Sequence, residues 1–143
     1  MKNYAMNTLA VIAGFIFGSV VNMGLVTIGP FVFANPEGVD MSNMDNLQEN
    51  IKLLKPVNFI FPFLAHALGT LAGAAVAARI AASHPMIFAI FIGVLFLAGG
   101  ITMVVMVGGP LWFILTDLLL AYIPMGILGG MLACRKLTQT SED

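Results

Sequence analysis

The chain has 143 residues, 59% of them hydrophobic and 9% charged, with a mean hydropathy of +0.99. Water-soluble domains carry about 25% charged residues, so the composition excludes a soluble globule, and a net charge of −1 offers nothing to nucleic acid. At roughly 20 apolar residues per crossing, the length suits four membrane spans and leaves no room for an aqueous domain, so residues 1–143 read as a single membrane domain.

The first apolar stretch covers 4–29. Lys2 precedes it and Val32-Phe33-Ala34 follows it, a pattern that mimics a secretory signal. A signal's apolar core is only about 7–15 residues, so this stretch reads as a retained span that ends at Pro30. Ala10, Gly14 and Gly18 recur on one of its stripes, and the next position on that stripe is Asn22.

A polar loop at 31–56 follows. Within it Ser42 can cap a helix whose first turn holds Asp45. Met44, Leu47, Ile51 and Leu54 then form one apolar stripe. The spacing predicts a short amphipathic helix lying on the outer membrane face, covering either an entrance or the helix ends.

The second stretch, 57–82, carries Ala65, Gly69, Gly73, Ala77 and Ala81, a small residue at every fourth position. His66 and Thr70 lie beside that ladder, with Asn58 and Pro62 on their stripe. The third, 86–108, contains Thr102; the fourth, 111–133, contains Asp117, Tyr122, Pro124, Gly126 and Gly130. Ser83-His84-Pro85 and Gly108-Gly109-Pro110 separate these stretches. Connections so short make the last three spans consecutive antiparallel hairpins. No stretch alternates polar with apolar as barrel strands do. The predicted fold is therefore an all-α membrane protein, a four-transmembrane-helix bundle.

A faint repeat suggests two tandem helical hairpins. It aligns Val21-Asn22-Met23 with Ile101-Thr102-Met103, Gly73 with Gly129, Ala77 with Ala133 and Arg79 with Arg135. Orientation follows from the basic residues. Lys2, Arg79, Arg135 and Lys136 share one side, while the loop side has Lys52 and Lys55 offset by Glu37, Asp40, Asp45 and Glu49. The positive-inside rule then places both termini in the cytoplasm.

In hydrocarbon, small residues let helix backbones approach closely. Gly14, Gly18, Gly69, Gly73, Gly126 and Gly130 are thus candidate packing positions, within the chain or between subunits. Polar residues inside spans are costly, and they mark sites or structural hydrogen bonds. Counting about 1.5 Å per residue from the outer ends, Asn22, His66 and Asp117 lie roughly 9–14 Å deep, with Thr102 and Tyr122 near them. Asp117 and His66 form the natural pair; a snorkelling aspartate and a carbonyl-bonded histidine are the structural alternatives. Pro124 withdraws a donor from the Leu120 carbonyl and should kink the fourth helix.

Neither a HExxH, a cysteine pair, a nucleotide-binding glycine loop nor a GxSxG occurs. His84 lies at the opposite end from His66, so the two histidines cannot share a metal or haem. Cys134, alone, reads as helix-end filler or a lipidation point. No cofactor is implied, and no nucleophile, base and electrophile assemble into an enzyme's set.

The segments Phe61-Pro62-Phe63-Leu64-Ala65-His66-Ala67-Leu68-Gly69-Thr70, Pro36-Glu37-Gly38-Val39-Asp40 and Ala121-Tyr122-Ile123-Pro124-Met125-Gly126 are similar to those of a group of small four-span bacterial membrane proteins without an assigned activity. The resemblance implies a bacterial plasma (inner) membrane; Arg79 departs from the small or apolar residue that group would carry there. Two readings of function follow. One is an oligomeric channel or transporter for a proton, ion or small polar solute, using Asn22, His66, Thr70, Thr102, Asp117 and Tyr122. The other is a non-transporting accessory subunit that docks against a larger membrane complex through its glycine faces.

Overall fold

A computed structural model describes residues 2–139 of the protein. Met1 and 140–143 lie outside the described residues, as do the side chains of Lys2, Met44 and 135–139, which include Arg135 and Lys136. Helix accounts for 83% of the chain. Four segments are long and apolar enough to cross a membrane: Asn3–Val32, Pro56–Ile80, Pro85–Val107 and Leu111–Cys134. The helices are α1 (Lys2–Val32), α2 (Leu47–Asn50, in the long loop), α3 (Ile60–Ile80), α4 (Pro85–Val107), α5 (Leu111–Leu120) and α6 (Ile123–Gln139).

Two prolines act differently from one another. Pro30 does not end α1, as its position suggested; the helix runs on to Val32, and the Phe33 N–H donates to the Gly29 carbonyl at 2.9 Å. A proline removes one donor only, and a span tolerates that loss when later N–H groups resume the ladder. Pro124 does break its helix. The fourth span divides at Ala121–Tyr122 into α5 and α6, and the Gly126 N–H returns to the Tyr122 carbonyl at 2.8 Å.

Helix α3 is central and packs against α1, α4 and α6. Its seam with α1 is backbone on backbone. A methyl added at Gly14 would stand 2.6 Å from the Gly73 carbonyl oxygen, and one at Gly18 would stand 2.6 Å from that of Gly69. Between α4 and α6, Gly126 faces Gly93, and a methyl at Gly130 would lie 2.7 Å from the Ala89 Cβ. The buried interior is largely alanine (Ala10, Ala65, Ala74, Ala77, Ala89, Ala121, Ala133), whereas Ile12, Ile16, Leu115, Leu119 and Leu132 face outward. Lipid tails are as apolar as leucine, so close approach of backbones, rather than leucine burial, holds such a bundle together.

This packing decides between the two roles open to the glycines, within the chain or between subunits. Gly14, Gly18, Gly69, Gly73, Gly126 and Gly130 are occupied within one chain, so they form neither a docking face nor a path between subunits. Residues matched in the faint repeat also sit in unlike surroundings: Gly73 faces α1, but Gly129 faces the Leu71 backbone of α3.

The loop folds as a short helical run, 3-10 over Met44–Asn46 and Ile51–Leu53 with α2 between them. Ser42 does not cap it. Its N–H and hydroxyl both donate to the Asp40 carboxylate, at 2.8 and 2.6 Å, and Asn43 instead accepts the Asp45 N–H at 3.0 Å. Asp40 sits two residues before Ser42, the spacing at which its carboxylate captures the serine first. Leu47 turns inward and is buried. The Gln48 amide donates to the Met106 carbonyl at 2.6 Å, tying the loop to the last turn of α4. Asn58, just ahead of α3, accepts the Lys55 N–H at 3.0 Å and donates to the Phe33 and Ala34 carbonyls at 3.2 Å, fastening the loop to the end of α1.

Candidate functional site at the floor of a cavity

The loop covers a cavity of about 290 Å³ between α1, α3, α4 and α5. Its walls are largely apolar, with Phe33, Phe59, Phe61 and Phe113 prominent, and Leu47, Ile51 and Leu54 of the loop stripe also line it. The titratable residues that line it are His66 and Asp117.

These two meet directly. His66 Nδ1 lies 2.8 Å from Asp117 Oδ1 and 2.9 Å from Oδ2. The Tyr122 hydroxyl donates to Asp117 Oδ2 at 2.9 Å, and its ring stacks on that of His66 with centroids 5.7 Å apart. Residues five apart on an unbroken helix lie well off one another's face. The Tyr122 hydroxyl reaches back to Asp117 because the chain breaks at Ala121–Tyr122. The phenol rests against Gly100 of α4, where any larger residue would displace it. Gly100 was not legible as a site residue; its only mark in the sequence is the Gly99-Gly100 pair within a span.

Asp117 is 3% exposed, and its carboxylate is held by an imidazole from α3 and by the Tyr122 phenol from the break between α5 and α6. The side chain of His66 keeps 22% exposure. With Asp117 ionised, the shared hydrogen resides on Nδ1, and Nε2 becomes the nitrogen free for other chemistry. Nε2 makes no hydrogen bond with the described residues. The cluster therefore turns its imidazole to the cavity while the carboxylate stays enclosed.

The other polar residues stand apart. Asn22 Oδ1 and Thr70 Oγ1 are buried with no hydrogen-bond partner among the described residues, and Thr70 is wholly enclosed. The Asn22 side chain adjoins Gly69. Thr102 is not brought to the cluster: it is exposed and donates to the Ala98 carbonyl of its own helix at 2.8 Å. A threonine hydroxyl satisfied one turn back needs no interior partner. Among the described residues, no three His, Cys, Asp or Glu side chains gather into a metal-binding set.

Taken together, four apolar crossings and a carboxylate buried between them define an integral membrane protein, an all-α four-span bundle with an ionisable cluster inside it. The chain matches no family model, no curated protein and no solved structure.

Proposed function

We propose that the protein is a small transporter or channel of a bacterial plasma membrane, with both termini cytoplasmic. It works as an oligomer and passes a proton, ion or small polar solute by way of His66, Asp117 and Tyr122. One observation carries this reading: a carboxylate, an imidazole and a phenol converge at the floor of a cavity. At that depth an ionised side chain costs ~2.5–3.5 kcal/mol on insertion scales. The rest of the interior needs no such group, being built from alanine and glycine. A titratable pair that borders a cavity can load and unload a charge; a pair enclosed on all sides cannot. The close seam of Gly14 with Gly73 and Gly18 with Gly69 lies on the far side of the cluster from the loop. Access from one side at a time is the arrangement alternating-access carriers use. For the alternative, a non-transporting accessory subunit, the glycines that pack within the chain offer no docking face, which supports the transport reading.

Purified protein in liposomes holding a pH-sensitive dye tests the reading. After an imposed pH step, with and without a panel of small solutes, wild-type vesicles should equilibrate at least tenfold faster than vesicles with folded Asp117→Asn. Wild-type rates equal to those of protein-free vesicles under every condition would end the transport reading. Orientation is tested separately in a Cys134→Ala background. Cysteine at Asn43 should label from outside intact cells, and cysteine at Ser141, beyond the described residues, only after permeabilisation.

A further inference from the structure

The cavity above His66 raises the question of which solute it fits, and charge balance inside a bilayer narrows the answer. Among the described residues, no Lys or Arg lines the cavity wall. The charge of the cluster is therefore set by its own protons. With His66 doubly protonated, the imidazolium and the Asp117 carboxylate cancel. With His66 singly protonated, one negative charge is left uncompensated, which a low-dielectric interior penalises heavily. The neutral state is restored either by a proton on Nε2 or by a cation of another kind in the cavity. No further titratable group from α1, α4, α5 or the loop lines the space to alter this balance.

Three other features of the wall suit a cation. Phe33, Phe59, Phe61 and Phe113 line it, and aromatic rings attract ammonium groups. Pro30, inside α1, has no N–H to give the Val26 carbonyl, and both residues line the cavity. The loop above bears Glu37, Asp40, Asp45 and Glu49 against Lys52 and Lys55, a negative approach that draws cations in. The remaining wall is apolar and suits a hydrocarbon body rather than a hydrated ion.

We infer that the cavity binds a protonated organic amine with an apolar body, whose N–H donates to His66 Nε2 in exchange for the proton that nitrogen carries when the cavity is empty. The exchange balances: one ammonium enters, one proton leaves Nε2 for water, and the cluster stays neutral overall. This substrate class rests on the transport reading above, but binding and crossing can be measured apart.

The test is titration calorimetry on the detergent-solubilised protein with 4-phenylbutylamine, its alcohol 4-phenylbutanol and its acid 4-phenylbutyrate. Measurements at pH 6 and pH 8, in two buffers of different ionisation enthalpy, count the protons released. The amine should bind at least tenfold tighter than the alcohol, bind more tightly at pH 8 than at pH 6, and release about one proton at pH 6. In Asp117→Asn the amine's advantage over the alcohol should vanish while alcohol affinity holds. Equal affinity for amine and alcohol, or amine binding without proton release, would overturn the inference. So would tighter binding of the acid. If the amine fails to bind but Asp117-dependent proton flux persists in vesicles, the transport reading survives and the substrate class falls. If the amine binds as expected but never crosses, the substrate class stands and the transport reading falls.

Discussion

The two ends of this bundle are built to opposite rules. Toward the termini, α1 and α3 touch backbone to backbone at Gly14–Gly73 and Gly18–Gly69, and no side chain larger than a hydrogen fits between them. Toward the loop, although Gly29 of α1 still packs on the Phe61 side chain, α1, α3, α4 and α5 surround a cavity of about 290 Å³ with an ionisable floor. Asn22, one turn beyond Gly18, marks the change. The glycine ladder of α1 stops there, and the next residue on its stripe is polar. In a bilayer, close approach of backbones comes from small residues, which the ladder of α1 supplies up to Gly18. Stability and chemistry thus occupy different levels of one structure.

The sharpest way to break this comparison is to put bulk into the tight end. Gly73→Leu should leave little folded protein by size exclusion, since both the Gly14 carbonyl at 2.6 Å and the Ile92 side chain at 3.3 Å from an added methyl stand in its way. Gly24→Leu, with nothing within 4 Å, should behave as wild type. Similar yields for the two would mean that α1 does not pack as described.

Next in size is the coupling within the loop-side cluster. In thermal unfolding, Asp117→Asn and His66→Ala should each lower stability, and their double mutant should fall short of the sum by about 0.5–3 kcal/mol, the range for residues in direct contact. Additive effects would separate the pair. A smaller change is expected from Gly100→Ala. The added methyl displaces the Tyr122 hydroxyl from Asp117 while leaving His66 in place. It should alter the pH dependence of flux more than the yield of folded protein.

The least effect belongs to the loop. Hydrogen bonds from the Ser42 side chain and backbone hold the Asp40 carboxyl below its ordinary value of 3.8. A carboxylate lowered on folding contributes order above its unfolded value and loses it as pH falls through the folded one. Asp40→Asn should therefore speed proteolysis of the loop slightly at pH 7, and the difference from wild type should disappear in acid below that ordinary value.

Much of the architecture was legible because membrane insertion imposes coarse rules. Span number, the helical hairpins and the loop helix follow from apolar length, breaker residues and one stripe. The helix ends were less legible: Pro30 continues a helix and Pro124 breaks one, and only the neighbouring hydrogen-bond donors decide between those outcomes. The approach of His66 to Asp117 could be expected from cost and depth alone. The place of Tyr122 in the cluster depended on a rotation at the Ala121–Tyr122 break that no periodic count contains. Thr102 shared the depth of the cluster but not its side, since depth counts residues along a helix and says nothing of azimuth. Ser42 was taken from its capping role by Asp40, two residues away, a competition of local hydrogen bonds that composition leaves open.

The break at Ala121–Tyr122 has a mechanical consequence. α5 has ten residues, about 15 Å at the usual helical rise, so it reaches only half-way through the hydrocarbon. Its partner α6 is gripped by α3 at Gly129 and by α4 at Gly126 and Gly130, while α5 contacts its neighbours sparsely. The fourth span is thus two unequal helices: the first is held at the membrane surface by Trp112 and Phe113 against Phe59 and, one turn from the break, by Asp117 against His66, while the second is locked along its length by glycines.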